Sequence, residues 1–257
     1  MILFACDYDN TLYYPDDGIR KADADALSNF TERGGLFAIA TGRSLKSVRV
    51  SAAPYNLPVH WWICSNGAAV FKETELLYLN PIPQSAVHEI LRYGEEFGVS
   101  LFEFGNGYDS FELEADRSES LLLQACRMCK EKLSEGKTDE LVQIGFAFRN
   151  EEELNGCKIQ LEKIAGLRLH MNASFIDITS ATASKENALA FLSSFSGIQD
   201  IRTAGDDLND LGMLKNYSGF LMNHASESLK SCYKKTASSA AECLSLIYME
   251  QDAQLRL

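Results

Sequence analysis

Two carboxylates one residue apart, Asp7 and Asp9, open the segment Asp7-Tyr8-Asp9-Asn10-Thr11 directly after the apolar run ILFAC. Side chains alternate along an extended backbone, so both acids start on the same side and the loop can aim them at one point beyond a strand end. Like charges that close repel, and their coexistence calls for a cation, a shared proton or plain solvation. Taken alone, the pair reads as a solvated strand end. A second acidic loop tips the balance: in IRTAGDDLND an apolar strand again runs into clustered acids, with Gly205 permitting a tight exit and Asp206, Asp207 and Asp210 behind it. Oxygen-only ligands drawn from two strand ends fit a hard ion, and Mg²⁺ characteristically takes one or two carboxylates plus waters and phosphate oxygens. Zinc would call for His or Cys, and neither clusters here.

Two further groups supply what an anion needs. Thr41 and Gly42 follow the apolar run LFAIA, where a hydroxyl and backbone N–H groups at a strand-to-helix junction can hold phosphate. Lys185 opens the helix before the second acidic strand and offers a point charge to phosphate oxygens. Each has a plain alternative, Thr41 as a helix cap and Lys185 as a solvated surface lysine. Their joint occurrence at strand-associated junctions favours one anion site.

These residues are carried by a recurring grammar. ILFAC, LFAIA and HWWICSN are apolar strands ending in polar loops; DADALSNFTERG and SLKSVRVSAAPYN between them have helical spacing. Strand–helix alternation predicts a parallel sheet covered on both faces, with ligands at the carboxyl ends of its strands. After Asn80-Pro81-Ile82-Pro83 the pattern changes: a helix, then a hairpin signal at Gly105-Asn106-Gly107, a helix near 118–134, a strand in ELVQIGFAF, a helix from Glu151, and strands in LRLHM and SFIDIT. From Ser184 the first pattern returns. The simplest architecture is an α/β, Rossmann-like core interrupted by a smaller α+β domain of roughly a hundred residues.

Bulk properties bound the function classes. A net charge of −12 argues against general affinity for nucleic acid or anionic lipid. No run approaches the ~18 apolar residues of a membrane span, and the start MILFACDYDNT lacks the basic opening and long apolar stretch of a secretory signal, so a cytoplasmic protein is expected. Seven scattered cysteines suit buried thiols in a reducing compartment. Cys126 and Cys129 form a C-x-x-C within an amphipathic helix, with no second pair to complete a zinc site.

DYDNT, the TGR of FAIATGRS, Lys185 in SKENAL and GDDLND, in that order, with ICSNGA at 63–68, together resemble the haloacid dehalogenase superfamily, in its Cof-type sugar-phosphatase branch with a type IIB cap. The motifs frame almost the whole chain. The resemblance implies a catalytic core at 1–81 and 183–257 and an inserted cap at 82–182 that sets specificity. It implies Asp7 as nucleophile and Asp9 as general acid/base. Thr41, Gly42, Lys185, Asn209 and Asn66 become phosphate contacts, and Mg²⁺ is held by Asp7, Asp9 and Asp206. Thr11, Arg43, Asp207 and Asp210 fall in supporting positions, Asp210 behind the lysine or the metal shell. The expected activity is hydrolysis of a small phosphorylated metabolite through an aspartyl phosphate; a phosphomutase or phosphotransferase using the same intermediate, or a non-catalytic phosphosugar-binding regulator, are the alternatives. Glu186 stands where the family usually has Gly, and Met222-Asn223-His224-Ala225 carries a histidine where small residues are commoner, so the pocket edge departs from the pattern. Tyr108 and Arg149 are further candidate substrate contacts; Trp61, Trp62 and His224 read as packing or loop residues.

Overall fold

The computed structural model describes residues 1–115, 119–132, 140–172 and 175–254. The chain begins with β1 (Ile2–Asp7), a small flap of β2 (Tyr13–Tyr14) and β3 (Gly18–Ile19), α1 (Lys21–Glu32), β4 (Leu36–Ala40), α2 (Leu45–Ala52), β5 (Trp61–Cys64), β6 (Ala69–Lys72) and β7 (Glu75–Leu79). It continues with α3 (Gln84–Glu96), β8 (Leu101–Gly105), β9 (Ser110–Glu114), α4 (Leu121–Lys132), β10 (Gln143–Ala147), α5 (Glu151–Leu161), β11 (Leu167–Asn172) and β12 (Phe175–Ser180). It closes with α6 (Lys185–Ser196), β13 (Asp200–Gly205), α7 (Leu211–Asn216), β14 (Phe220–Met222), α8 (Glu227–Cys232), β15 (Thr236–Ala237) and α9 (Ala240–Gln254).

The continuous apolar runs become central strands because only a position covered on both faces rewards them. β1 is buried at every residue and lies between β4 and β13, parallel to both. Among the described residues the larger sheet runs β15-β14-β13-β1-β4-β5-β6-β7. The order steps outward in both directions from β1 and β13, and a crevice forms at such a reversal. Leu27, Phe30 and Leu244 pack in the core cluster on one face of the sheet, and Leu189, Leu192 and Met213 in that on the other.

The expectation of a wholly parallel sheet needs one correction. β6 and β7 extend the edge in antiparallel sense, through a turn at Glu73 with φ 54°. Their residues alternate weakly, and only the pairing of β6 with the buried β5 fixes them as strands.

The interrupting segment carries its own sheet, β11-β12-β10-β8-β9, antiparallel throughout. One face packs Phe102, Phe104, Ile144, Phe146, Ile176 and Ile178 against α3, α4 and α5. The other face is polar. The predicted hairpin forms between β8 and β9, with the buried Asn106 side chain accepting from the N–H groups of Tyr108 (3.1 Å) and Asp109 (2.8 Å). That turn docks on the core: the carbonyls of Gly107 and Tyr108 accept from the N–H groups of Leu45 and Lys46 at the start of α2, at 2.9 and 2.8 Å. Donors that a helix start leaves without intrahelical partners are thereby used to hold the second sheet over the first.

The predicted helix near 118–134 is α4 within its described part; position 118 and positions 133–134 lie outside the described residues. Cys126 is an exposed thiol on α4, and the side chain of Cys129 lies outside the described residues. Trp61 and Trp62 are buried on opposite faces of β5, as packing residues. No described helix is long and apolar enough to cross a membrane.

Candidate active site

Asp7 ends β1 and Lys185 begins α6, 178 positions later, yet the lysine Nζ donates to Asp7 Oδ1 at 2.5 Å and to Asp210 Oδ1 at 2.7 Å. All three side chains are buried. Burial alone would strip the charge from a lysine, but the two carboxylates outweigh it and drive the Lys185 pKa upward. Burial pushes the Asp7 carboxyl up against the pull of Lys185, and the charges of Asp210 and Asp206 push the same way.

Asp210 is the organiser of this end of the sheet. While Oδ1 holds the lysine, Oδ2 accepts from the backbone N–H groups of Asp206 (3.0 Å) and Asp207 (3.1 Å), so the acidic loop is folded around one carboxylate. Gly205 makes the turn feasible: a Cβ there would lie 2.5 Å from the Asp210 side chain. Asp206 points back toward β1, accepting from Thr11 Oγ1 at 2.8 Å, and its carboxyl is pushed up first by burial and then by Asp210.

Carboxylate oxygens of Asp7, Asp206 and Asp210 all lie within 4.8 Å of one another. The donor set is oxygen-only and carries more negative charge than Lys185 balances, which fits a hard divalent cation of the Mg²⁺ type. The side chain of Asp9 is not in this group. Its two oxygens take a bidentate pair of bonds from Arg43, Nε to Oδ2 at 2.9 Å and Nη2 to Oδ1 at 2.5 Å, while the guanidinium lies over the rings of Tyr8 and Tyr13.

On the other side of Asp7, the loop after β4 and the turn after β5 interlock. The Thr41 hydroxyl accepts from the N–H of Arg43 (3.1 Å), and the Thr41 carbonyl accepts from the N–H of Asn66 (3.0 Å). Ser65, Asn66 and Gly67 all have positive φ, 48°, 56° and 89°. Gly67 has no substitute there, because a Cβ would sit 2.2 Å from the backbone of Ser184. That contact brings the turn against the start of α6 and sets Lys185 in register with β1. Asn66 Oδ1 accepts from Asn209 Nδ2 at 3.1 Å, joining this turn to the acidic loop.

A cavity of about 540 Å³ lies over these residues. Asp7, Asp9, Gly42, Asn66, Asp206 and Asn209 line it from the core, and Arg168, His170 and Asp177 from the polar face of the second sheet. Of the residues expected from the motifs, Asp7, Asp9, Gly42, Asp206, Asp207, Asn209 and Asp210 line this cavity, and Lys185 reaches it through its bonds to Asp7 and Asp210; Thr41 lies behind the lining. Tyr108 and Arg149 are not among the lining residues: the Tyr108 ring packs on Phe71 and Arg149 is exposed. His224 faces the far side of Asp206, with Nε2 3.9 Å from Oδ2 and its ring edge on Tyr14. Glu186, the departure beside the lysine, lines the cavity, accepts from Asn216 Nδ2 and crowds Gly212. Arg168, His170 and Asp177 escaped sequence reasoning, although a charged residue in an otherwise apolar FIDIT and a histidine in LRLHM were readable as polar positions on half-buried strands.

The chain belongs to the haloacid dehalogenase-like hydrolase family, whose pattern it matches over residues 4–246. Within it the chain is a hydrolase of the phosphatase type. It is 28% identical over 235 residues to the HMP-PP phosphatase of Cronobacter sakazakii, covering 87% of this chain and 84% of that one. Its fold is that of a haloacid dehalogenase-like hydrolase from B. subtilis (TM-score 0.77, 22% identity, 94% and 96% coverage). A subclass IIB sugar phosphatase shares it equally (TM-score 0.75, 21% identity, 98% and 99% coverage). The second sheet is therefore the inserted cap of this fold.

Proposed function

We propose that the chain is a Mg²⁺-dependent phosphatase that hydrolyses small phosphorylated metabolites, sugar phosphates first among them, through a phosphoryl group carried on Asp7. Residues 82–182 form the cap, and 1–81 with 183–257 form the core. The observation that carries this reading is the buried Asp7–Lys185–Asp210 chain with Asp206 beside it, opening into a cavity that the cap roofs.

A carboxylate oxygen of Asp7 attacks phosphorus, the bond to the leaving oxygen breaks, and the phosphoryl group passes to Asp7. Lys185, kept cationic by its two carboxylates, draws charge from the phosphoryl oxygens while holding Asp7 in place. The Gly42 N–H and the Asn66–Asn209 pair, which line the cavity, bind the remaining oxygens in this reading. Asp9 gives a proton to the leaving oxygen and later takes one from the water that attacks the phosphoryl-aspartate, which restores Asp7 and releases phosphate. That role requires one Asp9 oxygen to come free of Arg43, which otherwise holds the Asp9 side chain in place. Asp7, Asp206 and Asp210 would hold Mg²⁺, which when bound would supply further positive charge against the transferring group.

Phosphate release measured over a panel of phosphorylated metabolites tests the reading. Activity should require Mg²⁺ and fall at least about a thousandfold in Asp7→Asn. Independently of turnover, Mg²⁺ should raise the melting temperature of the wild type, and Asp206→Asn should abolish that shift. Turnover that survives both chelation and Asp7→Asn refutes the proposal.

A further inference from the structure

The polar face of the cap sheet carries a row that crosses every strand: His170 on β11 lies opposite Asp177 on β12, then Gly145 on β10, Glu103 on β8 and Glu112 on β9. Gly145 contributes no side chain to the middle of the row, and the Phe175 ring fills that place: a Cβ there would meet the ring at 2.6 Å and Asp177 Oδ1 at 3.3 Å. Asp177 lies beside that glycine and lines the same cavity as Asp7. Gln143, 6% exposed, holds the carboxyl from one side through Nε2 to Oδ1 at 3.0 Å. Its Oε1 is buried with no hydrogen-bond partner, an acceptor that lacks a donor among the described residues. His170 lines the cavity on the other side, with Nε2 3.1 Å from the Thr179 hydroxyl.

The charge of this end is unusual for a phosphate-handling cavity. Beyond Asp7 and its neighbours, the walls present Asp177, Glu186 and Asp207, and Glu103 stands behind Asp177. Arg168 is the one Lys or Arg among the described lining residues, and it is exposed. Burial lowers the His170 pKa to about 4, with Arg168 adding, so the ring is neutral at physiological pH. Burial together with the Glu103 charge raises Asp177 to about 7, which lets it donate as well as accept. A group of this kind suits hydroxyls, which also do both. A second phosphate or a carboxylate would share the cavity with the carboxyl groups of Glu186, Asp207 and Asp177, and like charges so placed are disfavoured.

We propose that Asp177, set between Gln143 and His170 over Gly145, selects the leaving group, and that the group it takes is an uncharged, polyhydroxylated one. The inference rests on the reading that phosphorus is attacked at Asp7. The predicted pattern is a preference for hexose monophosphates over hexose bisphosphates and phosphorylated carboxylic acids, with Asp177 responsible for much of it.

The test compares wild type, Asp177→Ala and Asp177→Asn on glucose 6-phosphate, fructose 1,6-bisphosphate and p-nitrophenyl phosphate, whose leaving group has a single phenolic oxygen. Loss of a hydrogen bond of this type costs about tenfold. The KM for glucose 6-phosphate should therefore rise about tenfold in Asp177→Ala with little change in kcat, and should be partly restored in Asp177→Asn. The aryl substrate should not follow that rise. Equal changes on all three substrates, or an unaltered KM for glucose 6-phosphate beside intact aryl hydrolysis, would overturn the selector while leaving the phosphatase reading standing. Failure of the folded wild type to hydrolyse any of the three would overturn both.

Discussion

The two sheets solve opposite problems with the same kind of residue. At the end of β1, ionisable side chains are buried and tied to one another: Lys185 to Asp7 and Asp210, Asp210 to the backbone of its own loop, and Asp206 to Thr11. On the cap, Asp177 and His170 stand on the polar face of the sheet, each with one side-chain hydrogen bond. The first arrangement fixes geometry tightly enough for covalent chemistry. The second leaves room for a ligand to complete it, and that division is what an enzyme needs if one reaction is to serve varied leaving groups.

The sharpest way to break the comparison is at Lys185. Replacing it by methionine leaves two buried carboxylates without their cation, and removal of one partner of a buried pair costs about 3–5 kcal/mol. For a chain of this size that corresponds to a melting temperature lower by roughly 10 °C, and phosphate release should fall by at least about a hundredfold. An unchanged melting curve would mean that the lysine is not the electrostatic centre of the core.

The glycines give a paired test of intermediate size. In Gly67→Ala the new methyl meets the backbone of Ser184, which cannot swing aside, and the residue must also keep φ at 89°. In Gly145→Ala it meets the end of the Phe175 ring, which can turn away. Gly67→Ala should lower both stability, by more than about 2 kcal/mol, and kcat, through displacement of Lys185. Gly145→Ala should spare the melting temperature to within a few degrees and act mainly on KM. Reversal of that order, read by thermal melts and steady-state kinetics, would remove the distinction between a rigid core and an adaptable cap.

The smallest effect is a pH dependence. Asp177 is held near 7 in the folded chain, above the ordinary carboxylate range of an unfolded one. As pH rises from about 4 to about 7 the unfolded chain releases this proton while the folded chain keeps it, so the group costs stability across that window. Asp177→Asn should therefore match wild type near pH 4 and melt a few degrees higher above pH 7. A difference that is constant with pH would place the carboxyl in water and weaken its part in the cavity.

Much of the core was legible because its chemistry sits at the ends of apolar runs. ILFAC, LFAIA and IRTAG each end in a polar loop, and the first two are fully apolar runs of five residues, which have few structural uses apart from a strand covered on both faces. β6, β7 and α9 were not legible: the two strands owe their state to an edge pairing, and α9 packs Cys243, Leu244 and Ile247 into the core without an obvious polar face of its own. The cap positions that line the cavity were not legible for a related reason. Tyr108 and Arg149 look like recognition residues by type, but only the register of five antiparallel strands decides which positions share the cavity face, and it selected Arg168, His170 and Asp177.

By itself, then, the chain's order of residues determined which groups are of a type to do chemistry and that two acidic loops must leave a common sheet, since apolar length and loop composition are local properties. Only the tertiary structure decided that Asp210 lies against Lys185, that Arg43 rather than a cation site engages the carboxylate of Asp9, and that Asp177 looks across a gap at Asp7. Those relations depend on strand register and on close backbone approaches such as Gly67 against Ser184, which bring together groups from 25 to 170 positions apart and leave no trace in the spacing of either.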